Sequence, residues 1–413
     1  MDTFFNPKNG SVILYICGEW VCSGITPGLG GVTEVAASTN SLVVTLEHRF
    51  YGQSMPFGGD SLTTANLKYL NTEQALKDLA YFITQFKAKN QNGVTNHPWI
   101  TVGGSYPGAM TAWFRYKYPH LTIGSLSSSG VVNAIEDFTA FDESIYTSTL
   151  KSSKACPATI QKLAAYVETQ LAGSNSTAFK AIFKAEKLSN EEFLLYWSDV
   201  IVFQVQYGKR TDLCDKLKNQ TFDDQFKIIR LDALKINPQE YSSYHLQDPT
   251  YYNADGQVSR AWNYQVCTEF GWFQTYSLVH PMRSKKVNLD FFHKFCQDTY
   301  GVTPNVQLSN TEFGALQAAS THLYMINANE DPWQWASLLK SQGTLTAVTI
   351  SCTNCAHCVD LHTPSTTDPK PLKKARADRL FAVQGWISEY WKNANKKKKK
   401  WLTSEPESLI VLS

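Results

Sequence analysis

Short apolar runs alternate with helix-period segments along the first third of the chain. Residues 12–17 (Val-Ile-Leu-Tyr-Ile-Cys), 42–46 (Leu-Val-Val-Thr-Leu) and 99–102 (Trp-Ile-Thr-Val) are rich in β-formers and lack polar alternation. That is the pattern of strands covered on both faces, as in a parallel sheet. Between the second and third runs, Asn71-Thr72-Glu73-Gln74 reads as a capping-box-like helix start, and Leu76, Leu79, Ala80, Ile83 and Phe86 then share one helical face. The result is a strand–helix–strand crossover. A further helix is predicted from just after residue 105 to about Tyr118-Pro119, followed by a strand at 121–126.

From about 136 to 310 the pattern becomes mostly helical: Ile160, Leu163, Ala164, Val167 and Leu171 keep helical spacing, and an apolar-aromatic stretch runs from Phe193 to Val205. Strand-like runs return at 322–326 and 345–350, followed by a helix that places Leu380, Val383, Ile387 and Tyr390 on one face. No internal repeat is present. The predicted architecture is α/β, a sheet domain built from residues 1–135 and 311–395 and interrupted by a helical insertion at 136–310. A polar basic tail is expected at 396–413.

Composition narrows the class. With 43% hydrophobic and 18% charged residues, the 413-residue chain is neither a disordered regulator nor a coiled coil. Its net charge is +2, and Lys396 to Lys400 supply five positives, leaving 33 basic against 36 acidic residues, or −3, elsewhere. No global basic field exists to attract nucleic acid, and the lysine run itself reads as a solvated tail. No apolar run reaches the roughly 18 residues of a membrane span. The start, Met1-Asp2-Thr3-Phe4-Phe5-Asn6, lacks the basic-then-apolar pattern of a secretory signal. Nine cysteines point to an oxidising compartment, with at least one unpaired if the others form disulfides. Glycosylation-type triplets begin at Asn9, Asn175 and Asn219.

Gly103-Gly104-Ser105-Tyr106 falls between a predicted strand and a predicted helix, the context of a nucleophile elbow. There Ser105 would stand above the sheet edge, and the amide of Tyr106 would face a developing oxyanion near the helix N-terminus. Pro107 takes the place of the usual glycine two residues after the serine, a position where proline suits a first helical turn. A serine needs a base, and the base an acid. Asp331 and His357 each follow a downstream predicted strand, in the order Ser…Asp…His of α/β hydrolases. Glu330 is the alternative acid and His362 the alternative base. Gly18 or Glu19, at the end of the first strand, would supply a second oxyanion amide. Glu47-His48-Arg49-Phe50-Tyr51-Gly52 reads as a buried supporting network. Cys352, Cys355, Cys358, His357 and His362 could instead be read as zinc ligands, but local disulfides are favoured.

Taken together, Glu47-His-Arg-Phe-Tyr-Gly, Gly103-Gly-Ser-Tyr-x-Gly with Ala112-Trp-Phe-Arg and Lys117-Tyr-Pro-His, Asn329-Glu-Asp-Pro-Trp, and Ala356-His before Asp360-Leu resemble the prolyl-directed serine peptidases. This is the family of lysosomal Pro-Xaa carboxypeptidase, dipeptidyl peptidase II and thymus-specific serine protease, and the likeness runs from about 10 to 392. The resemblance implies an α/β-hydrolase fold with an inserted helical cap, the triad Ser105, Asp331 and His357, and Trp333 beside the pocket for the residue before the cut. It also implies a lysosomal or secreted glycoprotein and pairing of Cys156 with Cys214 and of Cys267 with Cys296, and, since members of the family can dimerise through the cap, it allows a homodimer. Cys17 with Cys22 is a guess from proximity in the chain. Three features depart from the family pattern. The chain starts almost at the first glycine-rich strand, Pro107 replaces a frequent glycine, and Cys355-Ala-His357-Cys358 stands where relatives show Gly-Ala-His-His.

The resulting expectation is a cofactor-free serine exopeptidase that cuts peptides after proline or a small residue near one terminus. A terminal carboxylate would require Arg or Lys in the pocket and a terminal ammonium would require Asp or Glu. The sequence leaves carboxypeptidase and dipeptidyl peptidase both open. The rival readings are an esterase or lipase using the same triad and a truncated, catalytically impaired homologue.

Overall fold

Strands β1 (Val12–Ile16), β2 (Leu42–Leu46), β3 (Trp99–Gly104) and β4 (Gly124–Ser128) arise in the first third of the chain. The computed structural model describes residues 3–251, 258–317 and 320–403, with side chains described as far as Lys396. Two short strands, β5 (Ile135–Asp137) and β6 (Gly271–Phe273), pair in parallel by themselves, and β7 (Leu323–Ala328) and β8 (Thr346–Ile350) return to the main sheet. That sheet is wholly parallel in the order β2-β1-β3-β4-β7-β8. The fold is that of the α/β hydrolases, and β3, which carries the candidate nucleophile, lies inside the sheet.

Each face of the sheet has its own core. Ile13, Val43, Ile100, Val102, Leu126 and Ile326 pack with the helix Gly30–Ser38 and with Val383 and Ile387 of the last helix. Val12, Leu14, Trp99, Trp113, Leu323 and Met325 face the other way, into a core that continues through the helical region. The helix Thr72–Ala88 forms where expected: the Asn71 side chain accepts from the Gln74 amide at 2.9 Å, and Leu76, Leu79 and Ile83 are buried.

Between β4 and β7 the chain is mainly helical, including Thr139–Leu150, Ala155–Ala172, Asn190–Gln206, Arg210–Leu217 and Leu289–Tyr300. Disulfides Cys156–Cys214 and Cys267–Cys296 tie this region together, and Cys17–Cys22 and Cys352–Cys355 close two loops at the sheet edge. Cys358 is a free thiol.

Two expectations differ from the structure, and some elements have no expectation at all. The strand expected at 121–126 is β4 at Gly124–Ser128, a run of small polar residues that is buried because its hydroxyls find partners. Ser125 meets Thr101 at 2.6 Å, Ser127 donates to the Gly108 carbonyl at 2.8 Å, and Ser128 donates to Asp360. The helix Gly30–Ser38 and the β5–β6 pair carry too few periodic residues to be foreseen. The last helix runs Lys370–Thr403, so the boundary expected at 395 lies within it; residues 404–413 of the expected tail are outside those described. No helix among the described residues is long and apolar enough to cross a membrane.

Candidate active site

β3 hands Ser105 to a turn of φ 62° and ψ −128°, left-handed backbone that a serine adopts only when its surroundings enforce it. The enforcement is visible. The Ser105 amide donates to the Ser128 carbonyl at 2.9 Å, and the Ser105 carbonyl accepts from Ala109 at 2.9 Å as the helix Tyr106–Lys117 begins. The turn passes so close to that helix that a Cβ on Gly103 would lie 2.2 Å from the Pro107 carbonyl oxygen. Pro107 is accommodated from the other side, where a Cβ on Gly18 would lie 2.3 Å from its Cγ. The departure at 107 is therefore matched by the glycine that follows β1.

Asp331 leaves β7 and caps a short helical turn: one carboxylate oxygen accepts from the Trp333 amide at 3.0 Å and the other meets His357 Nδ1 at 2.9 Å. Asp331 is fully buried and His357 is 6% exposed. Burial acts to lower the imidazole pKa, but Asp331 and Cys358, as charge and hydrogen-bond partners, outweigh it and hold His357 well above its ordinary value. Glu330 does not reach the imidazole. It is taken by Arg210 in a buried bidentate pair at 2.8 and 3.1 Å. His362 is exposed and lies on the cavity wall.

The loop bearing His357 is fastened at several points. Its amide donates to the Gln206 carbonyl at 3.0 Å, and the Cys358 amide donates to Ser129 Oγ at 2.9 Å. From the last helix, Arg376 donates to the carbonyls of Val359, Asp360 and His362, and Arg379 pairs with the Asp360 carboxylate at 2.7 Å. Sequence reading missed Arg210, Arg376, Arg379 and Gln206. Scattered arginines and a glutamine carry no motif, and only the fold brings them to the loops of Asp331 and His357. With Cys352 bonded to Cys355, the zinc reading loses two thiolates, and no metal-holding group of His, Cys, Asp and Glu occurs among the described residues.

Ser105, Glu19, Trp333 and His357 line one cavity of about 760 Å³. Trp333 is held by an indole hydrogen bond to Gln206 Oε1 at 3.0 Å and by edge contacts with Phe138, Phe141 and Trp272. The ring of Tyr106 is buried, its hydroxyl 3.0 Å from both His48 Nε2 and Gln265 Nε2. Burial pushes His48 down to about 4, which keeps it neutral. Arg49 makes a bidentate pair with Asp78 at 2.6 and 2.7 Å, and Glu47 accepts from Cys22, Gln53 and Ser54. Burial raises Glu19 to about 7, opposed by its own amide, His357 and Trp20.

A family model for the serine carboxypeptidases S28 matches residues 1–379. A probable serine protease of Arabidopsis thaliana is 34% identical, covering 94% of this chain and 83% of that protein. Human lysosomal Pro-X carboxypeptidase is 28% identical, covering 96% and 84%. Mouse thymus-specific serine protease is 28% identical, covering 92% and 81%.

Proposed function

The chain belongs to the serine carboxypeptidase S28 family, which makes it a serine-type peptidase, and from that premise we propose an exopeptidase that cuts after proline or a small residue near one peptide terminus. The observation that carries the mechanism is the 2.9 Å contact between His357 Nδ1 and Asp331, in the cavity that Ser105 also lines. That contact assigns the Nδ1 proton to the carboxylate side and leaves Nε2 as the basic atom. His357 takes the Ser105 hydroxyl proton as Oγ bonds to the scissile carbonyl carbon. The tetrahedral oxyanion is met by the amide of Tyr106 and an amide of the Gly18–Glu19 turn. Collapse breaks the C–N bond, and the imidazolium protonates the leaving amine. Water, activated by the same His357, then releases the acyl group and restores Ser105.

Trp333, Trp262 and Trp272 give the cavity a flat aromatic lining suited to a proline ring. The four disulfides, the exposed positions of Asn9, Asn175 and Asn219, and a relative titled lysosomal support a lysosomal or secreted glycoprotein. The test is labelling by an organophosphonate, followed by product analysis on a proline-containing peptide library. One label per chain, lost in Ser105→Ala, together with release of short terminal fragments is expected. A chain that binds these peptides yet takes no label has a function other than acyl transfer.

A further inference from the structure

The walls of the cavity bear on the question that sequence leaves open, which end of the peptide is held. Its charged lining consists of Glu19, Asp199, Glu240 and Lys235, besides His357 and His362, and none of the described residues that line it is an arginine. Lys235 is a poor receptor for a carboxylate: its side chain is 72% exposed and already paired with Asp232 at 2.5 Å. The acidic groups are placed differently. Only two buried carboxylate oxygens among the described residues have no hydrogen-bond partner, Glu19 Oε2 and Asp199 Oδ1, and both residues line this cavity. A buried carboxylate oxygen without a donor is costly, and a bound cation with N–H groups would relieve that cost.

Glu19 sits in the loop beside the reacting centre, and its charge bears on His357. Asp199 is set back from it. Asp199 and Gln206 belong to the same helix, seven residues apart and on one face, which is about 10 Å of axial rise. Gln206 holds the His357 amide, so this spacing estimates the distance from the reacting centre to Asp199. An extended peptide advances about 3.3–3.6 Å per residue, so two or three residues bridge the gap.

We propose that Asp199, steadied by the Tyr241 hydroxyl at 2.9 Å on its other oxygen, receives the free α-ammonium of the substrate, so that the enzyme removes a di- or tripeptide from the amino end. This rests on the exopeptidase reading above and chooses its direction. Burial lifts the Asp199 carboxyl to about 6, against the pull of Arg283 and Tyr241, and an ammonium ion at Oδ1 would favour the charged form. Arg283 donates through Nε to Asp142 at 3.0 Å and through Nη1 to the Gln274 carbonyl at 2.6 Å, and its buried Nη2 makes no hydrogen bond, to Asp199 or to any other group.

The experiment measures binding to the Ser105→Ala chain of one proline-containing hexapeptide in three forms: unmodified, N-acetylated and C-amidated. Acetylation is expected to weaken binding about 100-fold, the scale of a buried charge pair deprived of one partner, whereas amidation changes it less than about threefold. Asp199→Asn should abolish the preference for the free amino end while leaving the acetylated form bound as before. Equal binding of the free and acetylated peptides, or a loss on amidation instead, overturns the proposal. Because the comparison of peptides reads binding in an unaltered Asp199 site, it stands even where Asp199→Asn fails to fold. It is also independent of whether Ser105 takes the phosphonate label, so failure of the catalytic reading and failure of this one are told apart.

Discussion

The loops that carry Asp331 and His357 and the lining of the cavity treat carboxylates differently. At the sheet edge, Asp331 is paired with His357, Glu330 with Arg210, and Asp360 with Arg379. In the cavity lining, Glu19 and Asp199 each keep one buried oxygen without a partner. Groups that must hold a geometry before substrate arrives are satisfied within the protein, and a group that would meet substrate is not. Preorganisation and recognition place different demands on the same side-chain chemistry.

The sharpest way to break this comparison uses two neighbours on one loop. Asp331→Asn should lower kcat by about 10,000-fold, because an amide can hold the imidazole in the wrong tautomer. The sign of its pH effect follows from the raised imidazole. Removing the Asp331 charge lowers the folded His357 pKa, and a base must be neutral to act, so the acid limb of the residual kcat/KM profile moves to lower pH. Glu330→Gln, one residue away, should leave kcat within about tenfold yet cost about 3–5 kcal/mol in denaturant unfolding, since it strands the buried Arg210. Replacing both partners, as Arg210→Met with Glu330→Leu, should recover most of that stability. Equal losses of kcat from Asp331→Asn and Glu330→Gln would erase the distinction.

What could be read without coordinates divides along similar lines. β2 lies at 42–46 as expected, and β1, β3 and the helix after Asn71 fall within a few residues of their predicted ranges, because each carries an uninterrupted apolar run or a capped apolar stripe. Ser105, Asp331 and His357 stand out as candidates because each follows a strand in an order that means something. β4 is expected at 121–126 but runs to Ser128, because Ser127 and Ser128 carry no strand signal and the hydrogen bonds that let them be buried are made by residues distant in sequence. The role proposed for Asp199 has no sequence signal for the same reason. It sits in a helix dense with Leu, Trp, Val and Phe, and nothing local reveals that this one polar position faces a cavity.

The smallest effect expected concerns how tightly the sheet edge is packed around the elbow. Gly18→Ala would drive a methyl into the Pro107 ring, 2.3 Å from Cγ, where backbone on both sides resists movement. Overpacking of this kind costs about 1–3 kcal/mol and should appear as a lowered unfolding midpoint with slower phosphonate labelling of Ser105. Pro107→Gly removes the ring, so adding it to Gly18→Ala should return part of the loss, a coupling of about 0.5–3 kcal/mol in a double-mutant cycle. Additive effects would mean that the two residues do not press on one another, and the fit between an unusual proline and the glycine after β1 would then be no part of what positions the nucleophile.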